Sequence, residues 1–368
     1  VHLYLHIPFC RRICPYCGFY KHTPGNLANR AFVDAILAEA RVRIEQQGDL
    51  LSSPFHTVFF GGGTPSLLSP AHLRRLCEGL REIVDLDAVE EWTLEANPAT
   101  FTLEKARLMR ELGIDRVSLG VQSFQPALLG TLGRDHSPEE AVAAFRMLRD
   151  AGFENLSLDL IFSVPGQDLS LWQADLEAAL ALEPEHLSAY NLTYEEDTEF
   201  LRRHARGELD SDEDRDASLF RLAMDLLESR GYEHYEISNY ARPGRESLHN
   251  RAYWSGADYL GLGPGAVSTL GRHRWKTLPD TAAYVRAVLD GGEVRTEAET
   301  LDDAALRLER LALQLRTREG IPRELVPPED APGLARLVEA GWLEERGARL
   351  ALTREGRALA DSIATELS

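Results

Sequence analysis

The sequence predicts an α/β protein, a partial (β/α)6 barrel of parallel strands followed by a C-terminal winged-helix-like α+β module. Two observations carry this. In the first half, short β-branched or aromatic runs alternate with helix-length amphipathic stretches, the pattern of βα units around a parallel sheet. After residue 296 the order becomes helix, helix, hairpin, helix. With 368 residues, 44% of them hydrophobic, the chain can bury one large core and a smaller satellite.

Six strands are expected, at 3–7, 57–60, 91–95, 116–120, 156–161 and 186–191, with helices at 28–46, 70–84, 103–112, 138–151 and 170–182 between them. Their ends carry chemical signals. Ser137-Pro138-Glu139-Glu140 sets a cap, a first-turn proline and acids at the positive end of a helix, and Gly152 follows its last turn. Six units are too few to close an eight-stranded barrel but make a partial one. The chain is therefore divided into a barrel at 1–192, an elaboration over the barrel mouth at 193–295 and a winged-helix-like domain at 296–368. The last contains helices near 302–315 and 332–340, a hairpin over 343–352 turning at Arg346-Gly347, and a final helix.

Charge narrows the partners. Forty basic against 59 acidic residues give a net charge of −19, which disfavours phosphate backbones and anionic membranes. From residue 300 onward 10 Arg and no Lys face 13 acids, a net of −3, so the C-terminal module reads as a packing or lid domain and no nucleic-acid partner is expected. No apolar stretch approaches the roughly 18 residues of a membrane span, so stable membrane insertion is not expected. The first residues lack the basic-then-apolar order of a signal peptide, and the thiols show no disulfide framework, so the expected compartment is the cytoplasm.

Cys10, Cys14 and Cys17, spaced Cys-x3-Cys-x2-Cys directly after the first strand, are the chief chemical signal. Three thiolates on one loop can hold three corners of a 4Fe-4S cube and leave one iron open to a ligand. Two other uses of the loop stand beside this. A zinc site could be completed by His6 or His22, and a disulfide would have to reach Cys77, sixty residues on, which reads as buried helix packing. Gly61-Gly62-Gly63-Thr64-Pro65 follows the second strand and lets main chain approach a ligand closely. Glu95, Gln122 and Asp159 interrupt apolar strands at the same relative place on successive units, which points to a pocket at the strand ends. Arg134 supplies a cation for a carboxylate.

Tyr4-Leu-His-Ile-Pro-Phe-Cys, Gly61-Gly-Gly-Thr-Pro-Ser, Ser118-Leu-Gly-Val-Gln-Ser-Phe and Gly133-Arg-Asp-His resemble the oxygen-independent coproporphyrinogen III oxidase branch of the radical S-adenosylmethionine (SAM) superfamily, over nearly the whole chain. The resemblance implies a 4Fe-4S cluster on Cys10, Cys14 and Cys17 whose fourth iron is chelated by SAM, and radical chemistry when a small electron-transfer protein reduces it. By the same match Tyr4, Gly62 and Glu95 would contact that SAM. Tyr16, Gly63, Thr64, Gln122, Arg134 and Asp159 would line the same or an adjacent SAM site. Asp258-Tyr-Leu-Gly-Leu-Gly-Pro-Gly-Ala is similar to a family turn near SAM.

Two groups share these motifs. The oxidases that decarboxylate coproporphyrinogen III carry a further Cys two residues after the third cluster Cys and an extension before the loop; here that position is Phe19, and nine residues precede Cys10. Tyr235-Glu-Ile-Ser-Asn-Tyr and His249-Asn250-Arg251-Ala252-Tyr253-Trp254 instead resemble the HemW haem-chaperone group, whose His-Asn-x-x-Tyr-Trp motif is associated with haem. The resemblance implies that haem is held and passed to an acceptor protein, with oxidative decarboxylation as the alternative. His249, Tyr253 and Trp254 are then the haem-binding candidates, since imidazole can ligate haem iron and Tyr and Trp offer flat apolar surface with polar handles.

Overall fold

The computed structural model describes residues 1–24, 30–48, 51 and 53–367. Its barrel wall consists of β1 (His2–Ile7), β2 (Thr57–Gly62), β3 (Glu91–Ala96), β4 (Arg116–Gln122), β5 (Asn155–Phe162) and β6 (His186–Asn191), adjacent in that order and all parallel. Between them run α1 (Arg30–Gln46), α2 (Pro70–Ile83), α3 (Leu103–Glu111), the short α4 (Pro126–Thr131), α5 (Pro138–Asp150) and α6 (Leu169–Leu180). The expected helices are present within two residues at each end, apart from positions 28–29, which lie outside the described residues, and α4 is an addition. Ser137 and Glu140 form the reciprocal capping box that starts α5.

Strand alternation divides the wall into an outer apolar face and an inner polar one. Leu3, Leu5 and Ile7 of β1, Val58 and Phe60 of β2, and Leu156, Leu158 and Leu160 of β5 are buried in one core with Phe32, Ile36 and Leu76 of the helices. The intervening residues, among them Tyr4, Phe59, Glu95, Ser118, Asp159, Ser188 and Tyr190, share the other face. Tyr190 keeps 40% of its surface accessible although the barrel wall encloses it, and Tyr4, Glu95 and Asp159 are enclosed yet partly accessible. The interior is thus an open polar lumen, unlike the packed centre of a closed barrel.

The segment expected to lie over the mouth divides instead. Its two ends touch the cysteine loop: in α7 (Glu199–Ala205) the amide of Phe200 donates to the oxygen of Pro15 at 3.1 Å, and Thr281 Oγ1 bonds Tyr20 and His22 at 3.1 and 2.8 Å. After α8 (Glu213–Ser229), β7 (Glu233–Glu236) and β8 (Asn239–Ala241) extend the sheet beyond β6. Helix α9 (Leu248–Ser255) then crosses to the N-terminal ends of β2 and β3. Strand β9 (Tyr259–Leu262) pairs parallel to β1, and β10 (Val267–Leu270), β11 (His273–Thr277) and, after α10 (Thr281–Leu289), β12 (Arg295–Thr300) complete a twelve-stranded sheet. These strands were hidden in the sequence because they are short, three to six residues each.

A second core belongs to the C-terminal module. Helix α11 (Asp303–Leu315), β13 (Ile321–Pro322), α12 (Ala331–Glu339), the hairpin β14 (Leu343–Arg346) and β15 (Arg349–Leu352), and α13 (Ala360–Glu366) gather Leu311, Leu315, Leu334, Leu337, Leu350 and Ile363. The hairpin turns where expected, with Gly347 at φ +63°. Among the described residues no helix is long and apolar enough to cross a membrane.

Candidate cluster and cofactor site

The cysteine loop leaves β1 and is held by the glycine turn that leaves β2. The amides of Gly63 and Thr64 donate to the main-chain oxygens of Ile7 and Phe9 at 2.9 and 2.8 Å. A Cβ on Gly63 would lie 2.7–2.8 Å from backbone atoms of Ile7, Pro8 and Phe9, so only glycine permits this contact. Gly62, at φ +105°, packs so closely on the His6 ring that a Cβ there would approach it to 2.4 Å. Downstream, His22 exchanges main-chain bonds with Cys10 and Pro8 at 3.0 and 2.9 Å, closing the loop as a ring around the three thiols.

Cys10, Cys14 and Cys17 are all free and partly accessible, as cluster ligands require. Burial pushes the Cys10 thiol up to about 11, partly offset by the hydrogen bond that Thr64 donates. Burial also raises Cys17, against the opposing pull of Lys21, whose ammonium donates to the main-chain oxygen of Cys17. The histidines that would complete a zinc site are engaged elsewhere. His6 Nε2 must donate to the oxygen of Tyr20 at 2.8 Å, which leaves Nδ1 to accept from the Tyr4 hydroxyl at 3.0 Å. His22 bonds Thr281 Oγ1 and the oxygen of Thr23, both at 2.8 Å. Cys77 is fully buried in α2, its thiol pushed up to about 12 by burial, and takes no part in the loop.

The strand-end polar residues do converge. Glu95 Oε2 accepts the Gly62 amide at 3.1 Å, and burial together with the neighbouring Asp159 pushes its carboxyl up to about 8. Asp159 sits among three serines, accepting from Ser118 at 2.9 Å, Ser188 at 2.8 Å and Ser157 at 3.2 Å, yet burial still holds it above the usual carboxylate range. Gln122 adopts φ +70° at a β4–β5 register shift, and its buried Oε1 has no partner among the described residues. Strain and an unsatisfied acceptor at one residue mark a ligand-facing position. Tyr16 packs in a small apolar cluster with Leu128, Leu132 and Ile161.

Asn97, three residues from Thr100 in the turn after β3, was not singled out by sequence. Its side chain joins Thr64 at 3.0 Å to Arg134 at 2.6 Å. It lay in plain view in Glu95-Ala-Asn97-Pro, but only the fold brings its two partners, 33 and 37 residues away, to one amide.

The haem-binding candidates separate onto two faces. His249 turns toward the lumen, its Nδ1 bonded to Thr57 Oγ1 at 2.7 Å and its ring stacked on Phe59 with centroids 4.9 Å apart. Burial, with His2 and Arg116 adding to it, pulls its imidazole down to about 3, so it is neutral. Thr57, Phe59 and the cysteine loop occupy opposite ends of the first two strands. Tyr253, 45% exposed, and Trp254 pack edge to face at 5.4 Å on the outside of α9. Trp254, with the Arg316 guanidinium 5.4 Å from its ring centre, lines a cleft of about 720 Å³ between α9 and the C-terminal module.

A parallel-strand barrel with a three-cysteine loop at its first strand end, a glycine turn clamping that loop and a carboxylate on the next unit defines a radical SAM protein. The radical SAM superfamily model matches residues 4–179. Haem chaperones HemW from Lactococcus lactis and Mycobacterium tuberculosis are each 37% identical, the first over 86% of this chain and 82% of its own length, the second over 99% and 94%. The chain belongs to the HemW haem-chaperone family. Coproporphyrinogen III oxidase (HemN) from Escherichia coli has the same fold, with a TM-score of 0.84 over 100% of this chain and 89% of its own at 23% identity.

Proposed function

We propose that this chain is a haem chaperone that carries a 4Fe-4S cluster on Cys10, Cys14 and Cys17, binds SAM beside it and passes haem to an acceptor protein. The residues fit the cofactors: three free thiols on a clamped loop, a buried carboxyl on the glycine turn and an unpartnered Gln122 acceptor at the lumen mouth. When bound, the cluster would supply one-electron reduction of SAM, with a small electron-transfer protein as its reductant. Glu95 and Gly62 would hold the methionine end of SAM, Tyr4 would frame it, and Gly63, Thr64, Tyr16, Gln122, Arg134 and Asp159 would line the rest.

The observation that carries the haem assignment is the outer face of α9. Trp254 presents aromatic surface to the cleft, which Tyr235, Arg251, Arg318, Arg346 and Arg349 also line, and the half-exposed Tyr253 packs edge to face on Trp254. Arg251 has its nearest carboxylate, Glu319, 3.9 Å away, and Arg349 donates to main-chain oxygens of Glu319 and Gly320. Aromatic planes beside cations suit a flat apolar ring bearing carboxylates. His249 acts as the anchor of α9 in the barrel. Phe19, 69% exposed, stands where the oxidases carry a further Cys.

Haem titration of the cluster-loaded protein tests this reading. Trp254→Ala is expected to weaken haem uptake at least tenfold, and His249→Ala to leave the haem absorption maximum unmoved. Full affinity in Trp254→Ala, or coproporphyrinogen decarboxylation by the wild-type protein at an enzymatic rate, would overturn it.

A further inference from the structure

The sulfurs of Cys10 and Cys14 each receive a hydrogen bond from a side chain beyond the loop. Thr64 Oγ1 donates to Cys10 Sγ and Arg134 Nη1 to Cys14 Sγ, each at 3.7 Å. Both donors meet at Asn97, and the direction of each bond is fixed by chemistry. A guanidinium can only donate, so the atom facing Arg134 Nη2 at 2.6 Å is the amide oxygen. The amide nitrogen is thereby turned to Thr64 Oγ1 at 3.0 Å, and its N–H occupies a lone pair of the hydroxyl. The hydroxyl proton remains for the sulfur. Asn97 is itself held from behind: its main-chain N–H donates to Ser66 Oγ at 3.3 Å, its main-chain oxygen accepts from Thr100 Oγ1 at 2.6 Å, and the buried Lys105 ammonium holds the main-chain oxygen of Ser66.

We propose that Asn97 is a positioning residue that aims two donors, Thr64 and Arg134, at two cluster thiolates and so raises the reduction potential of the cluster. Hydrogen bonds to cluster sulfurs stabilise the more negative, reduced state. The proposal rests on the cluster assignment of the preceding section and is independent of the haem reading.

Asn97→Asp separates the two arms. A carboxylate still accepts from Arg134, but it offers only acceptors to Thr64, so the hydroxyl proton turns away from Cys10 and a negative charge is added. Redox titration of the reconstituted cluster without SAM, followed by electron paramagnetic resonance, is expected to show about a tenfold lower ratio of reduced to oxidised cluster at a fixed potential, equivalent to 59 mV for one electron. Thr64→Val is expected to lower the potential in the wild-type background and to have no further effect in Asn97→Asp, because its bond to sulfur is already lost. Thr64→Ser, which keeps the hydroxyl, is expected to restore the wild-type value.

An unchanged potential in loaded Asn97→Asp, or an equal effect of Thr64→Val in both backgrounds, overturns the proposal. If Asn97→Asp takes up no iron, the Thr64→Val and Thr64→Ser pair decides it: equal potentials refute it, a drop restored by Ser supports it. Failure of the wild-type protein to hold a cluster would instead refute the cluster assignment itself.

Discussion

Gly62 and Glu95 stand on adjacent strand ends, the amide of the first donating to the carboxylate of the second at 3.1 Å. That bond and a burial penalty oppose each other, and burial wins: with Asp159 beside it, the Glu95 carboxyl titrates at about 8. A raised carboxyl favours the protonated form, so its folded state binds an extra proton between about 4.5 and 8. Stability associated with that proton is complete below the unfolded value and is lost as pH rises through the folded one. An amino group that ligates iron offers only N–H donors to Glu95, which an ionised carboxylate accepts better than a protonated one, so its entry reverses this preference. SAM binding is therefore expected to tighten from pH 6 to pH 8.5 in calorimetric titrations and to depend less steeply on pH in Glu95→Gln. Affinity that falls over that range would contradict the assignment of Glu95 to the SAM amino group.

Glu91 joins the barrel floor to α9. Its carboxylate accepts from the amides of Leu248 and His249 and from Ser247, and Arg116, 1% exposed, lies 3.9 Å away. Glu91→Ala removes the acceptor of the first two amides of α9 and leaves a buried cation unpaired, a loss of about 3–5 kcal/mol. Thermal unfolding is expected to move to lower temperature, and haem uptake at α9 to weaken with it. Glu91→Gln, which can still accept from the helix amides, should lose less. Equal loss in both variants would assign the effect to the charge alone.

Gly63→Ala tests the clamp. Its methyl would meet backbone atoms at 2.7–2.8 Å, which no rotamer change relieves. The expected outcome is a cost of at least about 1–3 kcal/mol, read as a lower midpoint in denaturant, together with reduced iron content after anaerobic reconstitution. Full iron loading in Gly63→Ala would show that the cysteine loop assembles without the turn.

Cys77→Ser should leave iron content unchanged while lowering stability by about 1–3 kcal/mol, because an unpartnered hydroxyl replaces a buried thiol. Iron lost from a folded Cys77→Ser protein would make Cys77 a ligand.

Much of the site was readable because it is local. Cys10, Cys14 and Cys17 lie within eight residues, and the glycine turn, Glu95 and Asp159 each mark a strand end by breaking an apolar run. Strand and helix periodicity likewise placed β1 to β6 and most helices within two residues. Asn97 escaped because an asparagine before proline looks like an ordinary turn, and its meaning comes from Thr64 and Arg134. The outlying strands β7 to β12 escaped because three to six residues carry little periodicity of their own.

By itself the sequence determined the βα order, the cysteine spacing and the polar interruptions at strand ends, all consequences of side-chain pattern over a few residues. Only the tertiary structure decided that the barrel keeps a polar lumen, that His249 points into its floor while Trp254 faces the outer cleft, and that one amide directs two donors at two sulfurs. Those relations depend on hydrogen bonds and packing between segments from 33 to 192 residues apart, whose angles and distances are set by the closure of the sheet.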